Sequence, residues 1–198
     1  MSADPVADAV TAARRGELIV FPTDTVYGIG TSPTDAAATE RLFRAKDRPR
    51  DLTLPVLVAT VAEARTIGIF DERADRLAAS WWPGPLTLVL PRAVRSAGWD
   101  LGGDAASIGL RVPHHPLALA VLAGGALATT SANRSGASPA TTCAELIAAF
   151  GEEVSVYLCQ DEPLVGAAST VVSLVGETVA ILRPGDLDPA VIGRLSAG

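Results

Sequence analysis

Apolar positions in this chain alternate between two spacings. From Asp4 to Arg15 alanine and valine recur at helical intervals, and the run stops at Gly16, a residue suited to the left-handed turn beyond a helix end. Leu18-Ile19-Val20-Phe21 is then an unbroken apolar run, the mark of a buried strand. A loop from Pro22 to Gly30 follows. A second helix, about Thr34 to Ala45, carries Leu42 and Phe43 inward and delivers Lys46 and Arg48 at its C-terminal end, so loop and helix end can meet. The same reading predicts strands at Leu54 to Val58, Leu86 to Leu90, Ser107 to Val112, Ala126 to Thr130, Val154 to Leu158, Thr170 to Leu174 and Val179 to Leu182. It predicts helices at Val61 to Ile67, Glu72 to Trp82, Pro116 to Ala123, Cys143 to Phe150 and Asp188 to Leu195. Strands interleaved with helices, plus a hairpin turning at Gly176-Glu177, predict an α/β fold on a sheet of mixed direction.

Composition narrows the class. At 198 residues the chain is within the range of one domain, which we expect over residues 1–198. Apolar stretches are too short or too interrupted to span a bilayer. Met1-Ser2-Ala3-Asp4-Pro5 lacks a basic start followed by an apolar core, so the expected location is the cytoplasm. A net charge of −6 argues against a surface that grips nucleic acid throughout, and any anion has to be bound locally. The two cysteines, Cys143 and Cys159, have neither the number nor the spacing of a metal site or a disulfide framework, and read as small core or near-surface residues. Trp81 and Trp82 read as core.

The cations are unevenly chosen. Of 16 basic residues, all but Lys46 are arginine. Where guanidinium has replaced ammonium almost everywhere, the surviving lysine is a candidate for a position that needs a compact charge. Other polar residues recur at strand ends or in loops: Thr23, Thr25, Arg48, Ser107, Arg111, Ser131, Asn133, Ser169 and Arg183. This is a set of cations, hydroxyls and one amide. His114 and His115 lie between Pro113 and Pro116 with no neighbouring motif to make a triad. Asp24 and Asp47 flank the motifs, but no carboxylate cluster has the spacing of a metal cage. The set therefore describes an anion site, in which guanidinium forks grip carboxylate or phosphate and hydroxyls and backbone amides complete the shell. Gly28 and Gly30 permit close backbone approach, and the loop Ser131 to Pro139 precedes a helix start, where anions bind readily. Neither loop is a dinucleotide or Walker fingerprint.

Together, Pro22-Thr23-Asp24-Thr25-Val26-Tyr27-Gly28, Lys46-Asp47-Arg48-Pro49, Trp82-Pro83-Gly84-Pro85-Leu86-Thr87, Arg111-Val112-Pro113, Ser131-Ala132-Asn133-Arg134-Ser135-Gly136, Ser169-Thr170-Val171 and Arg183-Pro184-Gly185 resemble the YrdC-type threonylcarbamoyl-AMP synthase family in its short form. The resemblance covers about Glu17 to Gly185. It implies an open, twisted α/β sheet with flanking helices around a positively lined cavity. It implies the reaction of L-threonine, bicarbonate and ATP to threonylcarbamoyl-AMP and pyrophosphate, the first step toward N6-threonylcarbamoyladenosine in tRNA. By resemblance, Thr25, Arg111 and Ser169 hold threonine. Lys46, Arg48, Ser107, Ser131, Asn133 and Arg183 line the nucleotide side, with Lys46 and Arg48 the catalytic candidates facing phosphates. Mg2+ accompanies the triphosphate without a dedicated protein cage, and a separate enzyme transfers the product to tRNA, which itself binds weakly here. The chain departs from the family pattern at Leu52-Thr53 and at Leu57, where the family often carries an Asn-Pro pair and a polar residue. Two other readings compete: a non-catalytic RNA-binding module, disfavoured by acidity and by aromatics not interleaved with arginine, and a carbamoyl-transfer domain, usually part of longer proteins bearing zinc-finger cysteines.

Overall fold

The computed structural model describes residues 4–197. The expectation of no signal segment at Met1 to Ala3 lies outside them. Among the described residues seven α-helices are interleaved with nine strands: α1 (Pro5–Arg14), β1 (Ile19–Phe21), β2 (Gly28–Thr31), α2 (Ala36–Ala45), β3 (Val56–Leu57), α3 (Val61–Ile67), α4 (Glu72–Trp81), β4 (Leu86–Pro91), β5 (Ser107–Arg111), α5 (Pro116–Leu122), β6 (Leu127–Ser131), α6 (Cys143–Phe150), β7 (Val156–Tyr157), β8 (Thr170–Ser173), β9 (Ala180–Arg183) and α7 (Pro189–Ala197). All nine strands form one sheet in the order β7-β1-β2-β6-β3-β5-β4-β8-β9. Pairings β1/β7, β3/β5 and β4/β8 are parallel and the rest antiparallel, which is the mixed sheet expected. The hairpin at Gly176-Glu177 joins β8 to β9.

Period-two alternation splits the apolar residues between the two faces of the sheet. Val20, Val56 and Ala128 join one core with Leu42, Phe43, Leu77 and Leu110, beneath α2, α3 and α4. Their strand neighbours Ile19, Phe21, Leu57 and Leu127 join the other, with Ala9, Ala12 and Ala13 of α1 and Ala118, Val121 and Leu122 of α5. Trp82 is buried in the first core and Trp81 packs against it. Helix starts are capped as local chemistry dictates. Asp4 accepts from Val6 and Ala7 at 3.0 and 3.1 Å, with Pro5 in the first turn. Thr142 and Glu145 form a reciprocal capping box on α6.

Three expectations change. Residues 28–31 are a buried strand, not the end of a loop, because two glycines conceal the alternation a strand normally shows. The close approach those glycines permit is to a neighbouring strand: a Cβ at Gly28 or Gly30 would come within 2.9 or 2.8 Å of the Thr129 side chain on β6. Cys143 and Cys159 form a disulfide, with Cα atoms 5.7 Å apart. They lie 16 positions apart in sequence, but the chain beyond β7 comes back to the N-terminus of α6, and spacing alone cannot report that. Finally, a lysine delivered at a helix C-terminus is expected to keep its ammonium in water, yet Lys46 is 2% exposed.

Candidate functional site

The loop between β1 and β2 is organised by its own threonines. Thr23 Oγ1 donates to the Val26 carbonyl at 2.6 Å and accepts from the Thr25 and Val26 amides at 3.2 and 3.3 Å. A hydroxyl has one proton, so Thr25 Oγ1, 3.0 Å away, is the donor between the two side chains. Thr25 Oγ1 in turn accepts from Arg111 Nη1 at 2.9 Å. Arg111, the last residue of β5, is 5% exposed. Its Nε donates to the Gly84 carbonyl at 3.0 Å and its Nη2 to Asp24 Oδ1 at 2.7 Å. Asp24 Oδ1 also accepts from the His114 amide at 2.9 Å, while Oδ2 is buried without a hydrogen bond among the described residues. Burial pulls the Arg111 guanidinium below its usual value, Asp24 opposes that, and Arg183 adds to it.

Ser169, just before β8, connects three elements. Its Oγ is 2.9 Å from Thr87 Oγ1 on β4 and accepts from Arg183 Nη2 at 2.9 Å, and its carbonyl accepts from Arg183 Nε and Nη2 at 3.0 and 2.9 Å. Arg48 donates to the carbonyls of Leu52 and Thr53, both at 3.2 Å. Among the described residues neither Arg48 nor Arg183 forms a salt bridge. Burial lowers the pKa of both, and the proximity of Arg183 lowers Arg48 further. Two like charges held together without a salt bridge, with only Asp51 on the shared wall opposing that of Arg48, make a site that gains when an anion enters.

These residues surround two adjoining chambers. The smaller, about 130 Å³, is lined by Thr23, Thr25, Tyr27, Arg48, Leu57, Thr87, Arg111, Thr129, Thr130, Ser131, Ser169 and Arg183, with backbone from Gly28 and Ala168. The larger, about 390 Å³, is lined by Arg48, Asp51, Leu52, Thr53, Val89, Ser107, Val171, Leu182 and Arg183. Arg48, Pro55, Thr87 and Arg183 belong to both walls. Thus Thr25, Arg111, Ser131 and Ser169 meet around the smaller chamber, Ser107 stands on the larger, and Arg48 and Arg183 lie between.

Lys46 and Asn133 are not on these walls. Lys46 Nζ donates to the Ser131 carbonyl at 2.5 Å, to the Asn133 carbonyl, and to Asn133 Oδ1 at 3.3 Å. Burial first, then Arg48 and Arg134, lower its pKa to about 8. The ammonium in this geometry fixes the loop that begins at Ser131. Asn133 continues that work, with its Nδ2 donating to Arg134 and Ala137 carbonyls at 2.9 and 2.7 Å. The departures at Leu52 and Thr53 supply backbone carbonyls that hold Arg48, and Leu57 puts an apolar side chain in the smaller chamber.

Sequence reasoning did not select Asp24 or Thr87 as site residues. For Thr87 a signal exists: between Leu86 and Leu88, period two puts it on the face opposite two core leucines, yet it is only 4% exposed. No local signal pairs Asp24 with Arg111, 87 residues away. No group of three or more His, Cys, Asp or Glu side chains among the described residues could hold a metal ion.

A family model described as "Telomere recombination", for the Sua5/YciO/YrdC group, matches residues 11–185. A Mycobacterium tuberculosis protein is 40% identical over 193 residues, 96% of this chain and 88% of its own. The threonylcarbamoyl-AMP synthase of Chromohalobacter salexigens is 40% identical over 159 residues, covering 78% of this chain and 85% of that protein. Among solved structures, Pyrococcus abyssi Sua5 complexed with L-threonine superimposes with a TM-score of 0.86 at 31% identity over 98% of this chain, which spans 58% of that one.

Proposed function

Because the chain belongs to the Sua5/YciO/YrdC family, we propose that it is an L-threonylcarbamoyladenylate synthase, converting L-threonine, bicarbonate and ATP to threonylcarbamoyl-AMP and pyrophosphate. The observation that carries this reading is the pair of adjoining chambers with Arg48 and Arg183 between them, cations without a salt bridge among the described residues. In this chemistry the substrates bring their own nucleophiles. The threonine amine attacks bicarbonate and water is lost to give a carbamate, whose oxygen then attacks the α-phosphorus of ATP and displaces pyrophosphate. The protein has to orient three reactants and neutralise anions. The arrangement suits that demand: threonine in the smaller chamber against Thr25, Arg111 and Ser169, nucleotide in the larger against Ser107, with Arg48 and Arg183 on the phosphates where the two meet.

Ser131 stands on the smaller chamber, and Lys46 and Asn133 hold the loop that begins there in place. Cations and hydroxyls dominate the smaller wall, and on the larger, among apolar residues, stand Arg48, Arg183, Thr53, Thr87 and Ser107 with Asp51 the single carboxylate. Such walls fit a triphosphate that arrives with Mg2+ bound to its own oxygens and to water, the ion offsetting phosphate charge. The product then passes to a separate tRNA-modifying enzyme in the cytoplasm. No helix among the described residues is long and apolar enough to cross a membrane. The test is pyrophosphate release from ATP with threonine or bicarbonate omitted in turn. Release is expected only with both present. Release that ignores threonine would point instead to another adenylating or carbamoylating activity.

A further inference from the structure

We propose that the Cys143–Cys159 disulfide is a reversible redox site, exchanging with dithiol reductants, that holds the segment 158–169 in place beside the smaller chamber. The inference rests on the reading of that chamber as the threonine site. Cys143 opens α6 and Cys159 lies two residues beyond β7. Both residues are half-buried, neither enclosed in a core nor fully exposed.

The bond joins two segments that each build the site. Ser131, on the smaller chamber, ends β6, from which the loop 132–142 runs to Cys143, and segment 158–169 contributes Ala168 and Ser169. No helix or strand forms between Tyr157 and Thr170, so segment 158–169 lacks a hydrogen-bond ladder of its own. It is secured by Leu158 N to the Val20 carbonyl at 2.8 Å, Gln160 N to Tyr27 Oη at 3.2 Å, and Leu164 N to the Thr141 carbonyl at 2.8 Å. Gly166 then lies against the Thr25 carbonyl so closely that a Cβ there would come within 2.1 Å of the oxygen. This contact bears on the backbone of Thr25, whose hydroxyl accepts from Arg111. Covalent control of segment 158–169 is therefore control of the threonine side, more than of the larger chamber.

A disulfide in a reducing compartment is usually transient or redox-sensing and seldom a permanent staple. The exchange balances simply. One thiolate of the reductant attacks a protein sulfur, its second thiol resolves the mixed disulfide, and two electrons and two protons pass to give two cysteine thiols and an oxidised reductant. Once released, the segment must be ordered again on binding, which costs affinity.

Three measurements on the full chain test this: thiol alkylation with mass readout, hydrogen exchange at Gln160 and Leu164, and steady-state kinetics, each before and after dithiothreitol and again after reoxidation. The oxidised protein is expected to show no alkylatable thiol. Reduction should expose two, speed exchange at both amides, and raise the threonine KM about tenfold with a smaller change for ATP, consistent with one segment's ordering cost. Reoxidation should reverse all three, and Cys143→Ser/Cys159→Ser should match the reduced protein and ignore dithiothreitol. Two free thiols in the air-oxidised protein, or reduction that leaves both exchange and threonine KM unchanged, would overturn the proposal. Redox-dependent exchange without any threonine-dependent pyrophosphate release would support the redox site and refute the synthase reading.

Discussion

The two chambers use arginine in opposite ways. On the smaller, Arg111 is buried and paired with Asp24 at 2.7 Å, so its charge is balanced before any ligand arrives. At the junction with the larger, Arg48 and Arg183 donate to carbonyl oxygens and form no salt bridge among the described residues, so only Asp51, acting on Arg48 from the wall, offsets any of their charge. The difference separates a cation that shapes a pocket from cations that attract a ligand. Lys46 is of neither kind: its ammonium meets only neutral oxygens of Ser131 and Asn133, as Arg48 and Arg183 meet carbonyls, yet it lies off both walls and fixes the loop from Ser131.

The largest effect should come from breaking the balanced pair. Asp24→Ala strands a buried guanidinium and is expected to cost about 3–5 kcal/mol of stability, whereas Asp24→Leu with Arg111→Met should recover much of it. Denaturant midpoints measure both, and a single variant as stable as wild type would mean the pair is solvated. Arg48→Ala, on the other side of the comparison, should leave the midpoint nearly unchanged and lower turnover about ten- to a hundredfold, from roughly 1.5–3 kcal/mol of lost charge-assisted contact. Wild-type kinetics would remove Arg48 from the phosphates.

A subtler change is Arg111→Lys, which retains the charge but not the fork. It should raise the threonine KM by about tenfold and the ATP KM less. Equal losses would move Arg111 to the nucleotide side. Lys46 offers a test by pH. Its folded pKa of about 8 lies below the ordinary 10.5, so the unfolded chain binds more protons between those values and stability should rise with pH across that window. Below pH 8 the full cost of burying the ammonium is present in the folded protein. Lys46→Met should lose this rise, and identical pH profiles for the two proteins would show that the ammonium is not desolvated. The smallest effect concerns tRNA. At a net charge of −6, binding should be weak, with a dissociation constant about 10⁻⁴ M or weaker at physiological salt, a shallow salt slope and competition by ATP. Submicromolar binding that ATP leaves unchanged would reveal a dedicated RNA surface.

Helix and strand periodicities were legible in the sequence because each is a local property: α3 and α6 run over the residues their apolar spacing marks, and β1 and β4 are unbroken or alternating runs. The mixed sheet followed from the interleaving of those elements, and the cations, hydroxyls and amide of the candidate site were visible as residues out of place in an apolar chain. β2 escaped because Gly28 and Gly30 carry no side chains to alternate, and the demand for glycine there comes from Thr129 a hundred residues away. The status of each cation was equally out of reach. Whether a guanidinium meets a carboxylate or only carbonyls depends on which strand ends the sheet order brings together, as with Asp24 and Arg111, or Ser169 and Arg183. The disulfide is of the same kind, since sulfur pairing requires a few ångströms in space and sequence separation does not encode that distance. Local spacing thus determined the elements and the chemical inventory, while charge balance, burial and crosslinking were decided by contacts that exist only after the strands have paired.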